Sequence, residues 1–275
     1  MKNILVTNDD GVHAPGLLAL AREMRKFGNV TILAPDRNWS GSGHVKTLDR
    51  ALRVREFHLE DGTQAFGSDG APSDCVALAT LGYFKEKFDL VVSGINVGAN
   101  LGHDVTYSGT VTAAMEAVIA GLPGVAVSLE VPEGYVGVVD FSAAALAAGI
   151  TVRNVLQHGL PADTLLNVNV PFLKQDEIRG FRTTRQGLRV YHSRLDERVD
   201  PRGRPYYWIG GEAPTGVPES GTDVGALSDG LVSVTPLQLD LTAYRAISDI
   251  NTWDWHETIL SEASLLRASV VAAEN

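Results

Sequence analysis

Short apolar runs recur along the chain, and most are followed by turn residues and then by a segment with helical spacing. The runs are rich in Val, Ile and Leu, which is typical of strands buried on both faces of a parallel sheet. They lie at residues 4–6, 30–34, 90–93, 125–129 and 165–170, and a last one at 232–234 rejoins the sheet. This alternation predicts an α/β fold with a doubly wound, mostly parallel sheet between two helical layers.

The segments between the runs predict helices. In residues 17–27 the apolar side chains fall on one helical face, and Gly28 is well placed to end that helix. Further helices are predicted from about Pro72, over residues 111–120 and over residues 141–157. The first strand, helix and strand therefore form a βαβ unit, which is right-handed in nearly all proteins.

Helical periodicity is lost after Pro171. Eight arginines lie between Arg179 and Arg204, an aromatic run follows at residues 206–209, and Gly and Pro crowd residues 210–221. This composition favours a hairpin arm that leaves the core and is stabilised by another subunit, although a solvated surface is the commoner fate of such charge. The tail, with Trp253 and Trp255, predicts a helix that docks on another surface.

We therefore expect one domain over residues 1–275. It consists of a core at about residues 1–175 plus 222–248, an arm at about 176–221 and a tail at 249–275.

Composition narrows the possible functions. The formal net charge of −10 argues against general affinity for nucleic-acid polymers, which needs a basic surface. Cys75 is the only cysteine, so an intrachain disulfide and a cysteine zinc cluster are both excluded. The early apolar run is too short for a signal peptide, and no apolar run has the length of a membrane span. These features predict a cytoplasmic protein with no membrane partner.

Candidate chemistry begins directly after the first strand, where Asn8, Asp9 and Asp10 precede Gly11. In a parallel sheet this places two carboxylates at the carboxyl edge, where ligands of open α/β sheets bind. Adjacent carboxylates repel each other unless a cation or a proton intervenes. The segment therefore suggests a divalent metal with oxygen ligands, while an ordinary Asp-Asp-Gly turn is an equally acceptable interpretation.

Three further loops return to the same predicted edge: residues 40–44, residues 96–100 and residues 108–110. Ser40 and Asn96 offer further oxygen ligands, which are hard donors suited to Mg²⁺, Mn²⁺ or Ca²⁺ rather than zinc. Ser108, Gly109 and Thr110 precede a helix, whose N–H groups and dipole favour an anion. A metal beside an anion cradle indicates a phosphoryl group.

Each of these loops also has a purely structural interpretation. Ser108 or Thr110 can cap its helix, and a loop asparagine such as Asn96 or Asn100 commonly forms a turn. Histidines in such positions, here His44 and His103, more often have no catalytic role. The chain contains neither GxxxxGK[ST] nor GxGxxG after its first strand, so a P-loop and a dinucleotide site are not expected.

Several ordered motifs resemble the survival protein SurE family over nearly the whole chain. They are ILVTNDDG at 4–11, APDRNWSGSGH at 34–44, GAPSDCV at 70–76, VSGINVGANLG at 92–102, SGTVTAAMEA at 108–117 and VSVTPLQLDLT at 232–242. The resemblance implies a Rossmann-like core and a C-terminal hairpin arm and tail helix exchanged between the subunits of a dimer, sometimes a tetramer. It also implies a metal-dependent nucleoside 5′- and 3′-monophosphate phosphatase, often with activity on short polyphosphate.

The resemblance assigns residues position by position. It implies that one Mg²⁺ or Mn²⁺ per subunit is held by Asp9, Asp10, Ser40 and Asn96. Phosphate contacts would fall at Asn8, Gly43, Ser108, Gly109 and Thr110. Two positions depart from the family pattern, Ala71 where Thr is usual and Gln238 where His is frequent, and they bear on substrate preference and rate.

The mechanistic hypothesis is phosphomonoester hydrolysis, and two routes stay open. Water activated by the metal can attack phosphorus, or Asp9 or Asp10 can attack directly as the catalytic nucleophile. A haloacid-dehalogenase-like phosphatase is disfavoured because Gly11 stands where its DxD motif needs an acid. The alternative from another class is a non-catalytic module that binds nucleotides and reports their presence.

Overall fold

A computed structural model describes residues 1–255, with Glu212 and Ala213 described for their backbone alone. The strands are β1 (Lys2–Thr7), β2 (Gly28–Pro35), β3 (Val54–His58), β4 (Gln64–Ser68), β5 (Leu90–Val97), β6 (Gly124–Glu130), β7 (Thr164–Pro171), β8 (Phe181–Thr183), β9 (Arg189–Val199), β10 (Pro205–Gly216) and β11 (Val232–Gln238). The α-helices are α1 (Pro15–Met24), α2 (Pro72–Leu78), α3 (Gly109–Ile119), α4 (Ser142–His158), α5 (Asp223–Ser228) and α6 (Tyr244–Ile250). A π-helical turn follows α2 at Ala79–Tyr83, and a 3-10 helix at Gly102–Thr106 precedes α3.

Within the described residues, nine strands form one sheet in the order β3-β4-β2-β1-β5-β6-β7-β11-β8. The six strands from β4 to β7 in this order are parallel, whereas β3 and β11 run antiparallel to their neighbours β4 and β7. From β1 the chain first builds the sheet towards β2 and later continues on the other side with β5. The strand order therefore reverses at β1, and ligands of such sheets bind at this switch point.

Helices cover both faces of the sheet. Ile4 and Val6 of β1 face one core, which also contains apolar residues of α1 and α4. Leu5, between them, faces a second core built from α2 and α3, and the only cysteine, Cys75, is buried there. Side chains alternate across a strand, so a continuous apolar run serves both cores. The predicted doubly wound, three-layer α/β fold is confirmed.

Strand β5 is longer than the predicted 90–93 because its end pairs again with β6 after an irregularity. Asn96 lies beside Ser128 and Val97 beside Leu129, while the regular register stops at Ser93. Gly94 has a φ of +136°, and a Cβ atom there would lie 2.3 Å from the carbonyl oxygen of Val127. Only glycine fits this position. The irregularity places Asn96 at the carboxyl edge of the sheet.

The predicted arm contains two different structures. Residues 181–183 form β8, which pairs with β11 and belongs to the main sheet. Strands β9 and β10 form a separate two-stranded antiparallel hairpin. Its exposed apolar residues include Tyr207, Trp208 and Ile209, which is an unusual surface for a lone hairpin.

Residues 1–239 form one compact unit, and the chain from Asp240 onwards forms a second. In the second unit α6 is followed by Trp253 and Trp255, whose ring centroids lie 5.4 Å apart. Residues 256–275, most of the predicted tail helix, lie outside the described residues. The single-domain organisation and the exchange of arm and tail between subunits stay predictions. Among the described helices, none combines the length and the apolar character that a membrane crossing requires.

Candidate active site

Asn8 shapes the turn that follows β1. Its side-chain amide donates to the carbonyl oxygen of Gly11 at 3.0 Å, and its side-chain oxygen accepts from the Gly11 N–H at 3.2 Å. This closed turn presents Asp9 and Asp10 at the carboxyl edge of the sheet. The side chain of Asn8, predicted to contact phosphate, therefore uses its oxygen and one amide hydrogen to hold the turn.

Asp9 lies against the first turn of α3. The residue is 2% exposed, and its carboxylate accepts a hydrogen bond from the hydroxyl of Thr110. Burial raises the pKa of Asp9, while hydrogen bonds from Thr110 and from the backbone N–H groups of Gly109 and Thr110 oppose that rise. The positive end of α3 thus stabilises a carboxylate that is otherwise poorly solvated.

The close approach of Asp9 to α3 depends on Gly109. A Cβ atom at this position would lie 2.7 Å from the Cβ atom of Asp9 and 3.1 Å from its Oδ2 atom. Real Cβ atoms do not approach so closely, and the packed backbone of the helix leaves little room for adjustment. A glycine here brings the helix N-terminus into contact with the carboxylate.

Asp10 is half-buried beside Asp9. Burial, together with the negative charge of Asp9, raises the pKa of Asp10 to about 6, and a hydrogen bond from the backbone of Val97 opposes the rise. Two neighbouring carboxylates with raised pKa values are typical of a site that binds a cation.

The loop at residues 36–44 closes over the same edge. The Trp39 N–H donates to the carbonyl oxygen of Asp9 at 2.7 Å, and the Gly43 N–H donates to that of Tyr107 at 2.9 Å. The carbonyl oxygen of Gly43 accepts from the hydroxyl of Thr112 at 3.1 Å. The N–H of Gly43, predicted to face phosphate, is therefore engaged by the protein itself.

Ser40 lies in this loop but makes fewer contacts. The residue is exposed, and its backbone N–H donates to the side chain of Asn38 at 2.7 Å. Its hydroxyl is accessible to a ligand.

Ser108 caps α3, as the structural interpretation predicted. Its hydroxyl oxygen accepts from the Val111 N–H at 3.1 Å, and its own N–H donates to the carbonyl oxygen of Asp104 at 3.1 Å. The hydroxyl hydrogen stays available, so a capping serine can still donate to a phosphate oxygen.

Asn96 and Asn100 have different surroundings. The Asn96 amide donates to the carbonyl oxygen of Gly98 at 2.7 Å, which leaves its side-chain oxygen free to bind a cation. Asn100 is buried, its side-chain amide donates to the Ser128 hydroxyl at 2.8 Å, and its backbone carbonyl oxygen accepts from the side-chain amide of Asn167 at 2.8 Å. Asn100 therefore fixes the loop, whereas Asn96 is oriented and still has an open ligand atom.

Sequence reasoning missed the residues that fasten the loop before α3. The carboxylate of the fully buried Asp223 accepts from the N–H of Gly102 at 2.9 Å and from that of Gly187 at 2.7 Å. Asp104 accepts from Arg189 at 2.7 Å and from the Tyr191 hydroxyl at 2.6 Å. The base of the hairpin is thus bonded to the loop that leads into Ser108. No local motif marks these pairs, because their members lie far apart in the sequence.

Glu116 of α3 also fastens a loop of the site, and sequence reasoning missed it too. It is buried and accepts from His44 at 3.1 Å and from Lys46 at 2.7 Å. These partners lower the pKa of Glu116, with the hydrogen bond from His44 contributing most. His44 therefore holds the loop at residues 36–44 onto α3. His103 is exposed and supplies its backbone carbonyl to Thr106.

The donor set fits a hard divalent cation. Asp9, Asp10, Ser40 and Asn96 offer only oxygen atoms, which suit Mg²⁺ or Mn²⁺ rather than zinc. In the part of the chain that is described, no group of three or more His, Cys, Asp or Glu residues is arranged to hold a metal. A site at Asp9 and Asp10 would consequently rely on neutral oxygen ligands for its remaining positions.

Comparisons with known proteins identify a family and several relatives of this chain. The family described as survival protein SurE matches residues 4–193. The chain is 51% identical over 254 residues to a protein of Herpetosiphon aurantiacus named 5′-nucleotidase SurE, and the match covers 92% of this chain and 99% of that protein. A relative of the same name in Geobacter sulfurreducens is 51% identical over 252 residues, covering 92% and 94% of the two chains. The crystal structure of the SurE protein from Aquifex aeolicus is similar, with a TM-score of 0.76, 43% identity and coverage of 90% of this chain and 98% of that one.

Proposed function

The chain belongs to the survival protein SurE family and is an enzyme of the 5′-nucleotidase type, and from this premise we propose that it hydrolyses nucleoside monophosphates with a divalent metal. One observation carries the proposal: Asp9 and Asp10 lie side by side with raised pKa values, and Asp9 lies against the N-terminus of α3. A cation would relieve the repulsion between the two carboxylates. The adjoining helix end favours the phosphate of the substrate.

We assign the metal to Asp9, Asp10, Ser40 and Asn96, with one Mg²⁺ or Mn²⁺ per subunit. When bound, such an ion supplies a Lewis acid for a phosphate oxygen and can lower the pKa of a water molecule. The assignment is supported by the side-chain oxygens of Ser40 and Asn96, to which no other described residue donates a hydrogen bond.

The remaining groups of the site bind and orient phosphate. The hydroxyl of Ser108 and the N–H groups of Gly109 and Thr110 are candidates for its equatorial oxygens. The two N–H groups now serve the carboxylate of Asp9, so we propose that substrate phosphate shares them. We keep Asn8 and Gly43 as proposed phosphate contacts, and hydrogen bonds within the protein already engage one amide hydrogen of Asn8 and the N–H of Gly43.

The nucleophile can be water or a carboxylate. Asp9 is held on one oxygen by Thr110, which fixes it as an oriented group. Asp10 is half-buried and is the more accessible of the two. Direct attack by either residue would create an aspartyl phosphate, which rapid acid quenching with labelled substrate would trap.

We also propose further substrates, an assembly and a location. We expect activity on 3′-monophosphates and on short polyphosphate, because the site as described recognises phosphate and metal rather than a base. We expect a homodimer or homotetramer in which the hairpin is exchanged, and the exposed aromatic residues of β10 support an interface there. A cytoplasmic location stays a prediction.

The test is phosphate release from a panel of nucleoside monophosphates. We expect no release in EDTA and recovery when Mn²⁺ or Mg²⁺ is restored. Saturable nucleotide binding without release, in folded protein with either metal, would favour the alternative of a non-catalytic sensing module. Release that persists in EDTA would contradict the metal assignment.

A further inference from the structure

We propose that the cleft beside the ends of β5 and β6 binds the nucleoside part of the substrate and that Glu130 hydrogen-bonds it. This inference rests on the proposed function and adds the substrate-recognition element that the phosphate site lacks. The cleft has a volume of about 510 Å³, within the range usual for small-molecule sites. Its lining includes Val97, Gly98, Glu130, Pro132, Tyr135 and Arg189.

The cleft begins next to the proposed catalytic residues. Val97 forms part of its wall, and the backbone of Val97 hydrogen-bonds the carboxylate of Asp10. Asn96, the proposed metal ligand, directly precedes Val97. A phosphate bound at Asp9 and Asp10 would therefore leave the rest of a nucleotide near the mouth of this cleft.

A larger cleft of about 610 Å³ lies beyond Glu130. It is lined by Phe172, Arg179 and residues around Asp229, and none of the residues at 96–99 contributes to it. The smaller cleft is therefore the better candidate, because it is the one continuous with the site.

The walls suit a nucleoside better than a second phosphate. Val97, Pro132, Tyr135 and Val139 provide apolar surface for a flat base, and Tyr135 is held edge-on by Phe172 with ring centroids 5.0 Å apart. Two carboxylates, those of Glu130 and Glu133, line the same cleft. Their negative charge disfavours phosphate and favours hydroxyl or N–H donors.

Glu130 is placed to accept such donors. It ends β6 and is half-buried, and no described residue forms a hydrogen bond or an ion pair with its carboxylate. Arg189, the nearby cation, is already paired with Asp104 at 2.7 Å. Burial raises the pKa of Glu130, and the charge of Arg189 partly opposes the rise. A carboxylate in this position would gain its hydrogen bonds from ribose hydroxyls or from N–H groups of a base.

The experiment compares nucleotide with a phosphate ester that has no nucleoside. For Glu130→Gln we expect the ratio of kcat/KM for AMP to that for p-nitrophenyl phosphate to fall about tenfold, as expected for the loss of a charge-assisted hydrogen bond. Tyr135→Ala, which removes an exposed wall, should lower the same ratio through KM. Glu60→Gln makes the same chemical change on a remote exposed residue and should leave the ratio unchanged.

Two comparisons between substrates identify which part of the nucleoside donates the hydrogen bond to Glu130. If ribose hydroxyls bind Glu130, the wild type prefers AMP to its 2′-deoxy form and Glu130→Gln removes that preference. If the base N–H groups bind, Glu130→Gln instead removes a preference for one base over another. Either result supports the cleft.

An unchanged ratio of the two kcat/KM values in both Glu130→Gln and Tyr135→Ala would overturn the inference. Tyr107 is a 62% exposed aromatic residue next to Ser108 and outside the cleft. A fall of the ratio in Tyr107→Ala alone would also overturn the inference. Binding of adenosine, measured by calorimetry, separates this failure from that of the proposed function. Adenosine binding that is weakened in Glu130→Gln, in a protein without phosphatase activity, would uphold the cleft and refute hydrolysis. Absence of adenosine binding in an active wild type would refute the cleft alone.

Discussion

The two halves of the candidate site are built in different ways. In the fixed half, Asp9, Gly109 and Thr110 are buried and bonded to each other across the start of α3. In the open half, Ser40 and Asn96 are exposed or half-buried, and their contacts only shape local turns. The fold therefore determines the position of the Asp9 carboxylate before any ligand binds. We expect Ser40 and Asn96, the neutral ligands of the open half, to reach their final positions only when the metal binds. Substitutions in the two halves should have different effects.

The largest effect is expected for Asp9→Asn in the fixed half. Loss of this charge should lower phosphate release by roughly a hundredfold or more, the scale seen when one strong electrostatic contact is removed from a transition state. Mn²⁺ affinity should fall with it, measured from the electron paramagnetic resonance signal of free Mn²⁺. Asp176→Asn, the same change on an exposed residue, is the control. Unchanged turnover in Asp9→Asn would refute its assignment as a ligand.

A somewhat smaller effect is expected for Gly109→Ala. The added methyl group would lie 2.7 Å from the Cβ atom of Asp9 and must push the carboxylate away from α3. We expect a loss of about 1–3 kcal/mol in the free energy of unfolding, as for other overpacked cores, together with reduced activity. Denaturant unfolding and phosphate release measure the two quantities.

Gly210→Ala is the matched control for this substitution. Among the described residues, its only neighbour within 4 Å is an oxygen of Asp196 at 3.8 Å, so a methyl group fits there. Equal losses of stability in the two variants would show that Gly109 is not a special contact.

The third prediction concerns pH and the metal-free protein. The folded pKa of Asp10 is about 6 against 3.8 for the unfolded chain, so the native state binds more protons between these values. The contribution of Asp10 to stability is therefore most favourable below about pH 4 and declines as the pH rises through 6. In EDTA, Asp10→Asn should be more stable than the wild type at pH 7 by about 1–2 kcal/mol, after allowance for its partial exposure.

This difference should shrink as the pH falls towards about 3, below the unfolded value of 3.8, where Asp10 becomes protonated in both the folded and the unfolded state. Thermal unfolding of the two proteins from about pH 3 to 7 provides the measurement, and subtraction removes the titration of all other groups. A stability difference that stays constant with pH would show that folding does not raise the pKa of Asp10. Added Mn²⁺ should reverse the order of stability at pH 7, because only the wild type gains the full metal affinity.

The smallest effect is expected for Ser40→Ala in the open half. The exposed hydroxyl forms no hydrogen bond with the described residues, so unfolding should change by less than about 0.5 kcal/mol. Phosphate release should fall severalfold and recover partly at higher Mn²⁺ concentration. A loss of stability as large as that of Gly109→Ala would remove the distinction between the halves.

The sequence predicted the fold well because its information is local. Runs such as residues 4–6 and the Gly and Pro residues around them define strands and helices without reference to the rest of the chain. Once β1 and β5 are accepted as parallel neighbours, their following loops must meet at one edge, so the grouping of Asp9 with Asn96 follows from topology. The contact between Gly109 and Asp9 confirms that the loop before α3 joins them.

Other parts of the site depend on partners that no local pattern reveals. The spacing of residues 40–44 does not show that Gly43 gives its N–H to Tyr107, or that His44 bonds Glu116. The cleft at Glu130 arises from a strand end, a loop and the hairpin together. Such features are set by tertiary contacts between distant segments, and their prediction requires coordinates.

The buried carboxylate of Asp223 has a consequence for when the enzyme becomes competent during its synthesis. It accepts hydrogen bonds from Gly102, which lies 121 positions earlier in the chain, and from Gly187. A ribosome-bound chain that ends before α5 already contains every proposed metal ligand, yet the loop entering α3 still lacks its anchor. The catalytic loops would mature only after the C-terminal strands emerge, because a contact of such sequence separation forms late in folding. We therefore expect chains that end before α5 to lack phosphatase activity even though they contain every proposed metal ligand.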